Sequence, residues 1–169
     1  MAVGNDYPKD VIRDLIEGTL PWEQTRQIMS GYKDAGRFKT YIQVLQEQVR
    51  WDDRILLPLG EHLFIVLDGN VGTVKCTCGH TFGDFRSNWK LEANILVRND
   101  EESLREILGR GGPDPEWQEV REFICPGCAT LLEVDVAIVG HPVVFDFQPD
   151  LVSFYRDWLA EPLPAEFQG

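Results

Sequence analysis

The sequence has little positive charge, and that shortage excludes two classes of partner. Its 169 residues include 16 Lys and Arg against 28 Asp and Glu, which gives a formal net charge of -12 and a sequence pI near 4.6. A phosphate backbone and an anionic membrane surface both repel such a chain. The composition therefore predicts that neither nucleic acid nor a membrane is its main partner.

A membrane span and a secretory leader are also missing from the sequence. No stretch approaches the roughly 20 consecutive apolar residues that a spanning helix needs. The first ten residues, MAVGNDYPKD, lack the basic region and the apolar run of a signal peptide. We therefore expect a cytoplasmic protein. In that reducing compartment, four cysteines in two close pairs are typical of metal ligands rather than of disulfides.

Catalytic motifs are the third feature that the sequence lacks. It has no P-loop, no GxGxxG and no GxSxG pattern, so nothing in it indicates nucleotide binding or acyl chemistry. Acidic residues are abundant, and most acidic side chains in proteins are simply solvated. The acidic and histidine residues that stand out, without any evident catalytic partner, are Asp52, Asp53, Asp84, Asp146, His62 and His141. We predict no catalytic and no cofactor-binding residue in this chain.

The chain contains enough apolar residues, 43%, to form a core. Apolar residues recur at helical spacing in 7–17, 21–30 and 34–49, and strand patterns follow in 63–67, 71–76, 91–97 and 130–139. Further helices are predicted over 99–109 and from Asp150 to Leu159. We predict an α+β fold with an N-terminal helical arm (1–50), a small antiparallel, zinc-ribbon-like β domain (51–149), and a C-terminal helix with an extended tail (150–169).

The cysteine spacing carries the strongest chemical signal in the sequence. CTCGH places Cys76 and Cys78 one residue apart, and CPGC places Cys125 and Cys128 two residues apart. Two such pairs can each bind one side of the same ion. Four soft, anionic thiolates bind zinc tetrahedrally and leave no coordination position open. The pattern therefore predicts one structural zinc site that joins two turns distant in sequence.

Three alternatives to this four-thiolate zinc site stay open. Gly79 and Gly127 permit tight turns that resemble zinc knuckles, but the CxC spacing is less regular than CxxC, so His80 is a substitute candidate ligand ranked behind the cysteines. CPGC could also form a redox dithiol, although that hypothesis leaves the other pair unexplained. An iron–sulfur cluster suits the ligand type but fits this spacing poorly.

Four longer segments carry a resemblance to a known family. They are WDDRILLPLGEHLFIV, CTCGHTFGDFRSNWKLEANILVR, EWQEVREFICPGC and VVFDFQPDLVSFYRDWL, in that order along the chain. Together they resemble the gamma subunit of acetone carboxylase, and the similarity extends from the helical arm to the C-terminal helix. Their order and spacing are more specific than the two cysteine pairs alone.

The resemblance implies an activity for a complex rather than for this chain. Acetone carboxylases are bacterial ligases that use ATP to join acetone, a ketone, to bicarbonate and form acetoacetate. The resemblance implies a heterohexamer with two alpha, two beta and two gamma chains, in which the larger chains hold manganese and the nucleotide. It also implies zinc on the gamma chain, at Cys76, Cys78, Cys125 and Cys128. Related ketone carboxylases, such as the acetophenone enzyme, leave the choice of ketone open.

Two hypotheses from different classes account for the sequence. The first is a non-catalytic, zinc-binding structural subunit that assembles with the alpha and beta chains. The second is a freestanding zinc-ribbon module that recognises another protein. A subunit should expose apolar patches when it is isolated, whereas a freestanding module should be a stable monomer. A thiol oxidoreductase is a third and more remote hypothesis, and it predicts a reactive cysteine.

Overall fold

The structure is a computed structural model that describes residues 7–32, 35–109 and 111–167. Three helices come first, then seven strands interrupted by two short helices, then a C-terminal helix. The helices are α1 (Lys9–Ile16), α2 (Trp22–Ser30), α3 (Ala35–Gln48) and α4 (Glu101–Leu108), with a 3₁₀ turn at Trp89–Glu92. The strands are β1 (Arg54–Pro58), β2 (Leu63–Asp68), β3 (Val71–Cys76), β4 (Thr81–Asp84), β5 (Asn94–Arg98), β6 (Gln118–Ile124) and β7 (Leu131–Ile138).

The strands form two antiparallel sheets. The first has the order β1-β2-β3-β4 and the second the order β5-β6-β7, and every pairing joins strands that follow one another along the chain. Short connections suffice for antiparallel neighbours, and the Asp-Gly-Asn turn between β2 and β3 is of this kind, with Gly69 at φ +62°. The predicted α+β class with antiparallel sheets is confirmed. The zinc-ribbon topology stays a prediction.

The helical N-terminal segment packs against the first sheet. Val44 and Leu45 of α3 are buried, and Leu45 lies in an apolar cluster with Ile55, Phe64 and Val66. At the N-terminus, α1 lies alongside α3, and both Lys9 and Arg13 pair with Glu47. The segment packs there because α3 is amphipathic, and its apolar side covers one face of the first sheet. The division at residue 50 stays a prediction.

The C-terminal helix completes the main apolar core, which lies between the two sheets and includes Ile65 and Phe123. The helix adds Leu151, Tyr155 and Leu159 to this core. It consists of an α-helical turn, Leu151–Ser153, that continues as a π-helical turn, Phe154–Leu159. The Asp150 side chain accepts a hydrogen bond from the Ser153 N–H and caps the first turn, as residue type and position predict. Tyr155 is buried, and its hydroxyl donates to the Leu56 carbonyl oxygen at 2.9 Å. This segment is therefore fixed to the strand β1.

Candidate metal centre

The first cysteine pair lies in the turn between β3 and β4. Cys76 is the last residue of β3, and its N–H donates to the His80 carbonyl oxygen at 2.9 Å. The Gly79 N–H donates a hydrogen bond to the Cys76 carbonyl oxygen at 2.8 Å, and this bond closes a tight turn around Cys78. Gly79 has φ +97°, a backbone conformation that favours glycine. The turn thus fixes both thiols on one side of the hairpin.

The second pair lies in the corresponding turn of the other sheet. Cys125 directly follows β6, and its N–H donates to the Thr130 carbonyl oxygen at 2.9 Å. The Ala129 N–H donates to the Cys125 carbonyl oxygen, also at 2.9 Å, and Ala129 adopts φ +59°. The Cys128 thiol lies 3.2 Å from the Thr130 hydroxyl oxygen. Each sheet therefore contributes one hairpin turn and two sulfurs.

The four sulfurs meet at the spacing that a tetrahedral metal requires. The Sγ atoms of Cys76 and Cys128 are 3.8 Å apart, and those of Cys78 and Cys125 are 3.7 Å apart. All four sulfurs lie within 4.8 Å of one another. Zinc–sulfur bonds of about 2.3 Å in a tetrahedron give sulfur separations of about 3.8 Å. The four cysteines are positioned to bind one metal ion.

Burial and hydrogen bonding shift the pKa values of three of the thiols in different directions. Burial raises the pKa of Cys125 to about 12. Hydrogen bonding by the Thr130 side chain and backbone lowers the pKa of Cys128 to about 6, and burial raises the pKa of Cys78 above its usual value. None of the four cysteines forms a disulfide within the described residues. Because four neighbouring sulfurs repel one another when ionised, a divalent cation is what allows all of them to be thiolates together.

His80 does not join this cluster. Its ring packs edge-on against Phe82, with the ring centroids 4.9 Å apart. Among the described residues, the ligand group around the sulfurs consists of the four cysteines alone. The alternative in which His80 replaces a cysteine therefore gains no support from the geometry. Its backbone carbonyl instead closes the turn of the first pair.

Trp51 holds the first turn from outside. Its indole N–H donates to the Thr77 carbonyl oxygen at 3.2 Å, and its ring lies over the position that a Cβ on Gly79 would occupy. The Lys75 ammonium lies 5.5 Å from the centre of the same ring and forms an ion pair with Asp53. Such outer contacts fix the orientation of ligands that could otherwise move. The chain between α3 and β1 thereby supports the metal centre.

Gly127 lies at a point of close approach between the two turns. A Cβ built on Gly127 would lie 2.9 Å from the His80 Cβ and 3.3 Å from the Cys78 sulfur. Contacts between carbon atoms this short force neighbouring atoms to move. The glycine is therefore needed for the two turns to come together, although its φ is not in the left-handed region.

Gly127→Ala is expected to weaken metal binding and to lower stability by about 1–3 kcal/mol, since the added methyl group separates the two turns. The measurement is zinc affinity by competition with a chelator, with thermal unfolding of the same sample. Gly60→Ala is the matched control, because a Cβ on Gly60 meets no atom within 4 Å. Equal zinc affinity of the two variants would contradict the close approach of the turns.

A second cluster of ionisable groups surrounds Lys90, which is only 1% exposed. Its ammonium nitrogen lies 2.6 Å from a Glu133 oxygen, 3.1 Å from Asp135 and 3.1 Å from Asp146. Burial alone lowers the pKa of Lys90, but hydrogen bonds to the three carboxylates raise it, and the net shift is upward. Burial also raises the pKa of Glu133. Through these ion pairs, Lys90 links the 3₁₀ turn to β7 and to the segment that follows β7.

This cluster was not predicted from the sequence, where Asp146 stood out as an acidic residue but received no role. The signal was present in the acidic residues Glu133 and Asp135, which alternate with valines along β7 and therefore share one face of the strand. Of the other acidic candidates, Asp53 pairs with Lys75 and Asp84 with Arg86. None of the acidic or histidine candidates joins the thiol cluster within the described ranges.

The fold and the sulfur geometry together define a class: a small α+β protein in which two antiparallel sheets supply four cysteines positioned to bind a metal. The comparison with known families is more specific. The sequence matches the acetone carboxylase gamma subunit family over residues 49–159. It is 44% identical to the acetone carboxylase gamma subunit of Xanthobacter autotrophicus over 161 residues, which cover 94% of this chain and 96% of that protein. The chain belongs to the acetone carboxylase gamma subunit family.

A more distant relative is the beta subunit of acetophenone carboxylase from Aromatoleum aromaticum. It is 24% identical over 112 residues, which cover 64% of this chain and 80% of that protein. The resemblance inferred from the sequence segments is thus confirmed at the level of the family. No described helix has the length and apolarity that crossing a bilayer requires.

Proposed function

We propose that this chain is the small, zinc-binding structural subunit of an ATP-dependent acetone carboxylase complex that converts acetone and bicarbonate to acetoacetate. The observation that carries the proposal is the 44% identity over nearly the full length of a curated acetone carboxylase gamma subunit. Similarity along nearly the whole length of both proteins supports the same role for this chain. Its partners in the proposal are the alpha and beta subunits, with two copies of each chain.

The proposed zinc ligands are Cys76, Cys78, Cys125 and Cys128. Four thiolates at tetrahedral spacing suit zinc, and such a site is closed because no ligand position is left for water or substrate. The ion would join two sheets whose strands make no hydrogen bonds to each other in the described chain. Its role in the proposal is therefore structural, and it supplies no step of the carboxylation.

The catalytic groups belong to the larger subunits in this proposal, together with manganese and the ATP site. Within the described residues, the buried charged side chains are held in ion pairs. Glu119 pairs with Arg121 at 2.5 Å, and Lys90 is surrounded by carboxylates. Groups neutralised in this way are poor general acids or bases because their protons are held by fixed partners. This chain contributes the scaffold, and the larger chains contribute the chemistry.

Exposed apolar side chains support assembly with other subunits. Val134, Val136 and Ile138 lie on the outward face of β7 and are 49%, 59% and 62% exposed. Trp22 and Trp117 are each at least 70% exposed. Contiguous apolar surface of this kind is typical of chains that bury it against a partner. The predicted division into arm (1–50), β domain (51–149) and C-terminal segment (150–169) is kept as part of the proposal.

The test is purification of the tagged chain from cells that express it with its natural neighbours, followed by identification of the bound chains and an activity assay. We expect two larger subunits to copurify and acetoacetate to form only when acetone, bicarbonate and ATP are all present. A chain that purifies as a stable monomer, with no carboxylase activity in any fraction, would instead favour the freestanding interaction module.

A further inference from the structure

The strand β5 exposes an apolar sequence on both of its faces. Ile95, Leu96 and Val97 are consecutive, so Leu96 points to one face of the sheet and its two neighbours point to the other. Their side chains are 37%, 44% and 42% exposed. Most edge strands bury one face against the core, but β5 buries neither.

The backbone edge of β5 is also open. In the described part of the chain, β5 pairs only with β6, and the sheet order β5-β6-β7 places it at the margin. Such a margin presents unpaired N–H and C=O groups that can bind another strand. Proteins normally protect such edges with proline, charge, bulges or very short strands.

The other three sheet edges carry these protective features. The edge strand β1 contains Pro58 and a register shift between Ile55 and Leu57. The edge strand β4 has only four residues. The third edge, β7, carries Glu133 and Asp135 on one face. Among the four edges that the structure describes, β5 is the one whose three central residues are all apolar and exposed, and its charged residue, Arg98, lies at its end and pairs with Glu106 and Glu122.

The charges at the two ends of β5 decide between a second copy and a different chain. Arg98, the last residue of β5, is paired with Glu106 and Glu122. The remaining charges are Glu92, which precedes the strand, and Asp100, which follows it at the start of α4. If two copies paired antiparallel about Leu96, the flanking acidic residues, Glu92 of the 3₁₀ turn and Asp100 before α4, would approach each other at both ends of the paired strands. Like charges brought together in this way repel each other. A chain with a net charge of -12 adds to that repulsion.

We infer that the open edge of β5, Asn94–Arg98, receives an extended segment of one of the larger carboxylase subunits, apolar at its centre and flanked by basic residues. This inference rests on the proposed function. The added strand would extend the second sheet, cover Leu96 on one face and Ile95 and Val97 on the other, and place its basic residues near Glu92 and Asp100. Recognition by strand addition gains affinity from backbone hydrogen bonds and specificity from alternating side chains.

The test is coexpression of the tagged chain with both larger subunits, comparing wild type with Leu96→Lys. The introduced charge cannot be buried against an apolar strand, so the yield of the complex should fall by about tenfold or more. Val152→Lys is the matched control, since Val152 is 47% exposed and lies on the C-terminal helix. Unchanged assembly by Leu96→Lys overturns the inference, whereas failure of wild type to assemble overturns the proposed function.

A second measurement does not depend on a variant that must fold. Hydrogen exchange is compared between the complex and the isolated chain, and outward amides of β5 should exchange about tenfold more slowly in the complex. Equal exchange in the two samples overturns the inference. So does an isolated wild-type chain that sediments as a dimer which Leu96→Lys dissociates, because β5 then belongs to a second copy.

A separate experiment tests the basic residues that we propose on either side of the partner's added strand. Glu92→Lys reverses an exposed charge beside the strand, and it should lower the yield of complex, with a larger effect at low salt than at high salt. An effect that disappears as ionic strength rises supports basic flanks on the partner strand. Assembly that is unchanged at every salt concentration overturns that part of the inference.

Discussion

Cys76→Ser is expected to abolish stable metal binding and to lower the melting temperature by about 10 °C or more, because structural zinc supplies on the order of 10 kcal/mol of folding free energy. Cys76 is fully buried at the end of β3, and its sulfur lies 3.8 Å from that of Cys128. A serine hydroxyl cannot replace a thiolate in a soft, four-sulfur site. The measurements are zinc content per chain and thermal unfolding.

His80→Ala is the control for the cysteine substitution. His80 lies in the same turn, but its ring contacts Phe82 and stays outside the sulfur cluster. This variant should retain one metal ion per chain and lose only the packing of the ring. If His80→Ala loses the metal while Cys76→Ser keeps it, the assignment of ligands is wrong.

Lys90→Met is expected to destabilise the protein by about 2–4 kcal/mol at pH 7, because removal of a buried ion-pair partner leaves its counter-charges uncompensated. The methionine fills a similar volume and retains the contact with Phe123, over whose ring the ammonium lies at 5.1 Å. Glu133, Asp135 and Asp146 then face one another without a cation. Urea unfolding at pH 7 gives the free-energy difference.

The pH dependence separates this effect from loss of packing. Burial, with the nearby Asp135 and Asp146, already raises the pKa of Glu133, and loss of Lys90 removes the opposing influence. A raised carboxyl pKa in the folded state costs stability above that pKa, and the cost disappears as pH falls and the group is protonated. The difference between Lys90→Met and wild type should therefore shrink from pH 7 to pH 5.

At alkaline pH the stability of the wild-type protein should fall as pH rises, because Lys90 loses its proton. The pKa of Lys90 is raised in the folded state, so its contribution is complete below the ordinary lysine pKa of about 10.4 and is lost as pH rises through the folded value. A stability difference between Lys90→Met and wild type that is the same at pH 7 and at pH 5 would contradict the role given to the Lys90 cluster.

The candidate site could be predicted from the sequence because its signal is local. Ligand pairs separated by one or two residues, with Gly79 and Gly127 in the turns, restrict the backbone strongly enough to indicate a metal knuckle. The same holds for the hairpin between β2 and β3, where the Asp-Gly-Asn turn marks the reversal. Helices α1 to α3 were equally accessible through their apolar periodicity and their flanking Pro and Gly residues.

The inverted face of β7 could not be predicted from its pattern alone. Alternation along this strand normally indicates that valines face the core and acids face solvent. In the structure, Val134 and Val136 are exposed, while Glu133 and Asp135 turn inward to Lys90. That arrangement depends on Lys90, which is distant in sequence, and on an exposed surface that a partner can cover. Local periodicity indicates neither of these.

Native mass spectrometry and elemental analysis of the purified complex test whether this chain is a subunit that holds a structural zinc ion. We expect one zinc ion for every copy of this chain, in an assembly that also contains both larger subunits. Zinc should leave only under conditions that also release this chain. A metal-free chain in an intact, active complex, or a zinc-loaded chain that is always found alone, would contradict the account.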